Sequence, residues 1–428
     1  MAGKLKIGVF GAHRGMTMMR VLANHPDAVL VAVCDKYVPL LDKTRELAAK
    51  YGLDVACYER FDDFFEHDMD AVVCANYANE HSVFGVKLLR SGRHILSEVL
   101  PCETMAQAVE LIETVEETGL VYAYAENYCY MRHAFEMQHR YEAGEIGEVT
   151  YCEGEYVHDC SSIWPQITYG EPDHWRNRLY STYYCTHSIG PMMTITGRRP
   201  VQVVGFETPV QKDIVMLGGQ GGLACGGLEI ITFDNGAIAK SIHGGLKREP
   251  GSVYYEIYGT KGMMESDRFD SSKVHVYKES DKLCVGEFEH YEPKPRVAAE
   301  LVSSSAVQGH FGSDFYATHF FIQKILGREE GHKYSIDVYK AVDMGICGIL
   351  AYRSILAGNV PIKVPNFRNK DERDAYRNDN ACTNPAIAGD VLLPCTSQGE
   401  FEIPPEAYEY VRNLWLEGKY AEKPYRAE

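Results

Sequence analysis

Lys6-Ile7-Gly8-Val9-Phe10-Gly11-Ala12-His13-Arg14-Gly15 is the stretch on which the fold turns. The apolar run Leu5–Phe10 meets glycines at 11 and 15, and helical apolar spacing follows from Met16 to Asn24. A glycine turn between a first strand and a first helix aims backbone N–H groups and the helix dipole at one point. That point suits a pyrophosphate. The pattern departs from Gly-x-Gly-x-x-Gly, because His13 takes the second glycine's place and the last falls at Gly15. Gly11, His13, Arg14 and Gly15 are therefore candidate cofactor contacts. Asp35 ends the next apolar run, 24 positions after Gly11. A carboxylate there accepts from the adenosine ribose hydroxyls and repels a 2′-phosphate, which favours NAD over NADP. The competing reading is an aspartate that caps the following turn, and Lys36 beside it pulls toward NADP.

Residues 1–125 alternate strand-like and helix-like runs. The strands expected are Leu5–Phe10, Ala28–Cys34, Ala71–Ala75, His94–Ser97 and Leu120–Ala125. The helices expected between them are Met16–Asn24, Leu40–Tyr51, His81–Ser91 and Thr104–Glu117. Parallel neighbours need such crossovers, so this half reads as an α/β, doubly wound parallel Rossmann sheet. From Gly147 the pattern becomes β-rich, in Glu148–Val157, Val201–Phe206, Leu228–Phe233, Ala237–His243 and Val253–Gly259. Asp234-Asn235-Gly236 and Thr260-Lys261-Gly262 are turns between them, which points to a large open mixed or antiparallel sheet in an α+β domain. Helices are expected over Asp314–Leu326, Ile336–Leu356 and Glu406–Glu417. The domain expectation is 1–126 for NAD binding, 127–370 for substrate and oligomerisation, and 371–428 as an extension wrapping the surface.

Composition narrows the class. The chain has 428 residues, 45% hydrophobic and 24% charged, as soluble globular proteins do. A formal net charge of −17 disfavours nucleic acid and anionic membranes as partners. Thirteen cysteines occur with no Cys-x-x-Cys pair, and no apolar run is long enough to span a bilayer. No signal sequence is apparent, so a cytoplasmic location is expected.

Further blocks carry a resemblance. Val72-Val73-Cys74-Ala75-Asn76 with His81, then Ser97-Glu98, then Gly144-Glu145-Ile146-Gly147-Glu148-Val149 continue the pattern begun by the glycine turn and Asp35. Across residues 4–365 the chain resembles the Gfo/Idh/MocA oxidoreductases. Three blocks make it most similar to that family's NAD-dependent α-N-acetylgalactosaminidase branch. They are Glu126-Asn127-Tyr128-Cys129-Tyr130-Met131-Arg132, Gly154-Glu155-Tyr156-Val157-His158-Asp159, and Tyr184-Cys185-Thr186-His187-Ser188-Ile189-Gly190-Pro191. The resemblance implies a Rossmann domain followed by an open sheet that carries the substrate site and often an oligomer interface. A homo-oligomer is therefore expected. It also puts Asn76, His81, Glu98 and Asn127 on the cofactor side, with Glu98 at the ribose next to nicotinamide.

The family's dehydrogenases carry Glu-Lys-Pro where this chain has Glu98-Val99-Leu100-Pro101, and an aspartate where it has Tyr183. The valine is shared with the glycosidase branch. Leu100 is an insertion, and Cys185 replaces a usual proline. His187 is the expected catalytic base, because an imidazole titrates near neutral pH. Tyr156 and Tyr184 are further catalytic candidates, singled out among 29 tyrosines by their blocks. Glu126, Arg176, Arg178, Tyr130 and His158 are substrate-binding candidates. His158, Asp159 and His187, and likewise His310, Asp314 and His319, admit a metal reading, but the cofactor chemistry needs none and no metal is expected.

The function expected is NAD-dependent oxidation of a sugar ring hydroxyl, at C3, that opens a glycosidic bond by elimination and hydration. A net 3-keto-forming dehydrogenase is the second reading. A nucleotide-binding regulator without catalysis is the third.

Overall fold

The computed structural model describes residues 3–222, 224–304 and 309–426. The chain forms two compact units. Unit one is Met1–Arg132, Lys294–Val342 and Phe367–Asn378; unit two is His133–Pro293, Asp343–Asn366 and Asp379–Glu428.

Unit one holds β1 (Leu5–Phe10), β2 (Ala28–Cys34), β3 (Ala56–Tyr58), β4 (Ala71–Cys74), β5 (His94–Ser97) and β6 (Tyr122–Tyr124). They form one sheet in the order β3-β2-β1-β4-β5-β6, and every neighbouring pair is parallel. Ile7, Val9, Leu30, Ala32, Val72, Val73, Ile95 and Leu96 are fully buried. A parallel sheet covered on both faces demands such runs. Crossovers include the helices Ala12–Asn24, Val38–Tyr51, His81–Arg90 and Met105–Thr118. The last is capped by Thr104, whose side chain accepts from Gln107 N–H, and ends at left-handed Gly119. Strand order reverses between β1 and β4, so the loops after these two strands, at Gly11 and at Ala75-Asn76, border the switch point where doubly wound folds take ligands.

The first helix begins at Ala12, four residues before the expected Met16. Gly11 turns the chain in a single residue, at φ 96°, which only glycine adopts cheaply. The strand β3 had no counterpart in the sequence reading.

Unit two is built on β7 (Val149–Val157), β8 (Pro200–Glu207), β9 (Gly226–Phe233), β10 (Ile238–Gly244), β11 (Ser252–Gly259), β12 (Gly262–Ser266), β13 (Val274–Glu279), β14 (Gly286–Tyr291) and β15 (Ile362–Lys363). They make one nine-stranded sheet, β14-β13-β12-β11-β7-β10-β9-β8-β15. The β10–β7 pair is parallel and the others are antiparallel, so the sheet is mixed. The helix Thr186–Thr196 packs on β7, β10 and β11. The helix Pro405–Leu416 meets the helix Trp164–Thr168, with Val411 in a buried cluster of Trp164, Val215, Leu217 and Ala224. Among the described residues, no helix is long and apolar enough to cross a membrane.

Candidate active site

In unit one the glycine turn packs closely. A Cβ on Gly11 would lie 2.2 Å from the Ala75 carbonyl oxygen, and one on Gly15 would lie 2.4 Å from Val9 Cγ1. The first glycine thus brings the turn against the end of β4, and the second lets the helix sit down on β1. Asp35 does bind the turn: its Oδ2 accepts from Ala12 N–H at 2.7 Å and its Oδ1 from Tyr37 N–H at 2.8 Å. The carboxylate therefore holds the first turn of the helix and the turn after β2. His13 is exposed in the first helical turn, and Lys36 lies over the Tyr77 ring.

His81 is buried between two carbonyls, Nδ1 at 3.1 Å from Leu100 O and Nε2 at 3.3 Å from Asn76 O. Burial lowers its pKa to about 4, so it is neutral and ties the loop after β4 to the Val99-Leu100 segment. Asn76 Nδ2 donates to Glu80 at 3.0 Å, while its Oδ1 is buried and accepts no hydrogen bond. A buried acceptor left open in this way fits a ligand donor. Glu98 is buried with its Oε2 accepting from Val99 N–H at 3.2 Å.

Glu126 is fully buried and caps the short helix Asn127–Tyr130 through its Oε1, which accepts from Tyr128 N–H at 3.3 Å. Asn127 is buried in that turn. Tyr130 packs on Phe320 and donates its hydroxyl to Tyr334 O at 2.9 Å, so its polar atom is engaged inside unit one.

Arg14 occupies an unforeseen place. Its guanidinium donates to both oxygens of Asp314, at 2.6 and 3.1 Å, and pairs with Glu98 Oε1 at 2.7 Å. His310 Nδ1 lies 2.9 Å from Asp314 Oδ2. Burial pushes the Asp314 carboxyl up, but His310 and Arg14 outweigh it and hold it far below the usual carboxylate range. Burial likewise raises Glu98, and there the pull of Arg14 only reduces the shift. Asp314 lies 300 positions from Arg14, so no local pattern announced the pair.

Unit two gathers the other candidates. The His187 ring stands edge-on to Tyr156 and Tyr184, with centroids 4.6 and 5.0 Å away. Tyr156 O–H lies 3.2 Å from His158 Nδ1. Tyr156 projects from β7 and His187 from the helix Thr186–Thr196, and Gly154 lets the two close up. A Cβ there would sit 2.2 Å from Ser188 O. Pro191 inside the helix has no N–H for the carbonyl of His187 four residues earlier. Tyr255 O–H supplies the donor instead, at 2.5 Å.

The Arg176 guanidinium stacks over Trp175 and lies 5.8 Å from the Tyr184 ring centroid. Arg178 is directed elsewhere: its charge acts on Cys395 and Tyr408, and its carbonyl accepts from Thr383. Tyr180 and Tyr183 are buried, the former stacked 4.5 Å from Tyr352 and both in edge-on contact. Val99 is buried too.

Residues 5–126 match the model of an oxidoreductase family, NAD-binding Rossmann fold, and residues 228–372 match that of the glycosyl hydrolase 109 C-terminal domain. The chain belongs to the Gfo/Idh/MocA oxidoreductases, on their glycosyl hydrolase 109 branch. As a member of that family it is an NAD-dependent enzyme, and unit one carries the NAD-binding Rossmann domain. This Gfo/Idh/MocA chain is 24% identical over 417 residues to a glycosyl hydrolase family 109 protein of Porphyromonas gingivalis, covering 87% of each. It is 26% identical over 407 residues to a family 109 protein of Solibacter usitatus, covering 85% of this chain and 88% of that one. A solved levoglucosan dehydrogenase in complex with NADH and levoglucosan shares the fold, with a TM-score of 0.68 at 17% identity over 85% of this chain and 100% of that one. The family fits the residues present, since the glycine turn, Asp35 and the open Asn76 acceptor are what a dinucleotide needs.

Proposed function

We propose that the enzyme cleaves a glycoside by transient oxidation of a ring hydroxyl, at C3, with elimination across C2 and C1 and then addition of water. The observation that carries this reading is the packing of Tyr156 and Tyr184 against His187, while buried Val99 and Tyr183 hold the positions of a dehydrogenase's lysine and aspartate. Such a route needs no pair of catalytic carboxylates. The curated relatives' membership of a glycosyl hydrolase family supports bond cleavage as its outcome.

Gly11 and Gly15 make room for the dinucleotide, and Asp35, Asn76 and Glu98 offer oxygens to its hydroxyl and amide donors. NAD held there would supply the hydride acceptor and, at the end of the cycle, the hydride donor. His187 takes the hydroxyl proton at C3. Once C3 is a ketone the C2 proton is acidic, and Tyr156 removes it, with His158 as the acceptor behind the phenol. Burial first, and then the repulsion that a proton on His187 would exert, holds His158 below the ordinary imidazole pKa, so it is neutral and able to accept at pH 7. Tyr184 protonates the departing glycosidic oxygen, and Arg176 steadies a substrate oxygen beside it. Water then returns hydroxyl to C1 and a proton to C2.

Turnover of a nitrophenyl glycoside in heavy water should place deuterium at C2 of the released sugar. Denatured enzyme should release close to one NAD per chain, with no NADH accumulating. Stoichiometric NADH from free sugars would instead establish a net dehydrogenase. NAD bound tightly with no sugar turned over would establish a regulator. Replacing His187 by Ala should cut kcat by about 10²–10⁴-fold, the usual weight of a general base.

A further inference from the structure

We propose that Asp267, His275 and His290 bind one divalent ion of the zinc class at the open edge of the nine-stranded sheet. The three lie in unit two, and the proposal is independent of the catalytic reading above.

The sheet register builds the site. His275 on β13 and His290 on the edge strand β14 are direct antiparallel partners, so their side chains leave the same face. Their rings are stacked, with centroids 4.2 Å apart and planes 8° from parallel. Asp267 follows β12, where the chain turns back into β13. One of its oxygens, Oδ1, accepts from Phe269 N–H and Asp270 N–H, both at 2.8 Å. The other, Oδ2, lies 3.0 Å from His275 Nε2. The carboxylate is thus fixed by backbone donors with its other oxygen turned to the imidazoles, an arrangement that orients metal ligands. The three ligand atoms all lie within 4.8 Å of one another.

Around zinc, with bonds of about 2.0–2.1 Å in a tetrahedron, donor atoms stand about 3.3 Å apart. Reaching that spacing requires the stacked rings to turn toward a common centre. The movement falls on His290, which is exposed on a strand with one neighbour. Two imidazoles and one carboxylate leave a fourth position for water. That donor set selects Zn²⁺, Cu²⁺ or Ni²⁺ over Mg²⁺ or Ca²⁺, which take oxygens. An ion there would fasten β14 across β13 to the turn after β12, tying down the edge of the sheet. Nothing in the order of residues marks the site, because it arises from the pairing of strands that the sequence pattern did not disclose.

The test is titration of the metal-stripped full chain, carrying no added histidines, with Co²⁺ and then Zn²⁺ at pH 7. One Co²⁺ per chain should bind with visible bands of tetrahedral intensity and be displaced by Zn²⁺. Zn²⁺ should also raise Tm. His290→Ala and His275→Gln should each weaken binding at least tenfold, and His332→Ala, at an exposed histidine elsewhere, should leave it unchanged. Absence of stoichiometric binding, or binding that His290→Ala leaves intact, would overturn the proposal in favour of a surface ion pair beside a stacked ring. Since His290 is exposed, that variant keeps the fold and decides the question even if His275→Gln does not.

Discussion

Tyr255 donates its hydroxyl to the backbone carbonyl of His187 at 2.5 Å, and it does so where Pro191 has removed the helix's own donor. The proline and the tyrosine are halves of one device. It leaves the peptide of the candidate base satisfied by the sheet beneath it, so the position of His187 is referred to β11. Tyr255→Phe takes this donor away from a buried carbonyl, which costs about 1–3 kcal/mol. Urea unfolding should register that loss, together with a fall in kcat and little change in NAD affinity. Adding Pro191→Ala restores an N–H to the helix and should recover part of the stability. A double variant no better than Tyr255→Phe alone would refute the coupling.

Gly154 makes the second prediction. With a Cβ 2.2 Å from Ser188 O, Gly154→Ala has to push the helix Thr186–Thr196 away from β7. Overpacking against backbone typically costs about 1–3 kcal/mol. Activity should fall further than stability, because the displaced helix carries His187 away from Tyr156. NAD content, which depends on unit one, should be unaffected. Equal losses in binding and turnover would contradict this assignment.

What the sequence disclosed follows from what burial does to it. Parallel strands covered on both faces read as apolar runs, so β1, β2, β4 and β5 were visible, as was the glycine turn between them. The helix Thr186–Thr196 was not recognised as one, because its buried residues surround it and leave no polar stripe to give it a period. The edge strand β14 was missed for the opposite reason: it is exposed along most of its length and carries little apolar alternation. Within the candidate site, the resemblance blocks singled out Tyr156, Tyr184 and His187. The partners that fix them, Tyr255 and Gly154, became legible only with strand register. Arg14 was read as a cofactor contact, and its pairing with Asp314 is a long-range relationship that no spacing encodes.

That pair gives a charge-specific prediction. Arg14 stands between two buried carboxylates, Glu98 and Asp314. Removing one partner of a buried ion pair costs about 3–5 kcal/mol, because the charge left behind is not solvated. Arg14→Met should therefore destabilise unit one by that order at pH 8. The loss should shrink at pH 5. Without the cation the Asp314 carboxyl rises above its unfolded value and Glu98, already raised by burial, rises further; a raised carboxyl costs nothing while it is protonated in both states and costs more as pH climbs above the unfolded pKa. Asp314→Asn removes the wild-type contribution of opposite sign, which is present above the unfolded carboxyl pKa and lost as pH falls. A loss independent of pH in Arg14→Met would mean that packing rather than charge holds these residues together.

The buried histidines set the acid limit of the fold. Burial lowers His81 in unit one and His133 in unit two to about pKa 4, against an ordinary 6.5. Between those values the unfolded chain binds a proton at each site that the folded chain refuses. Stability therefore rises with pH through this window, and it falls on acidification by up to about 1.4 kcal/mol per pH unit for each histidine. The contribution is fully present above pH 6.5 and is lost as pH drops toward 4. His133 Nδ1 lies 2.8 Å from Ser271 O, a contact that His133→Gln can preserve through its amide. Urea unfolding at pH 7, 6 and 5 should give a shallower acid slope for that variant, by about one histidine's share, at a similar stability near pH 5. A slope identical to that of the parent would show that His133 takes up its proton without unfolding.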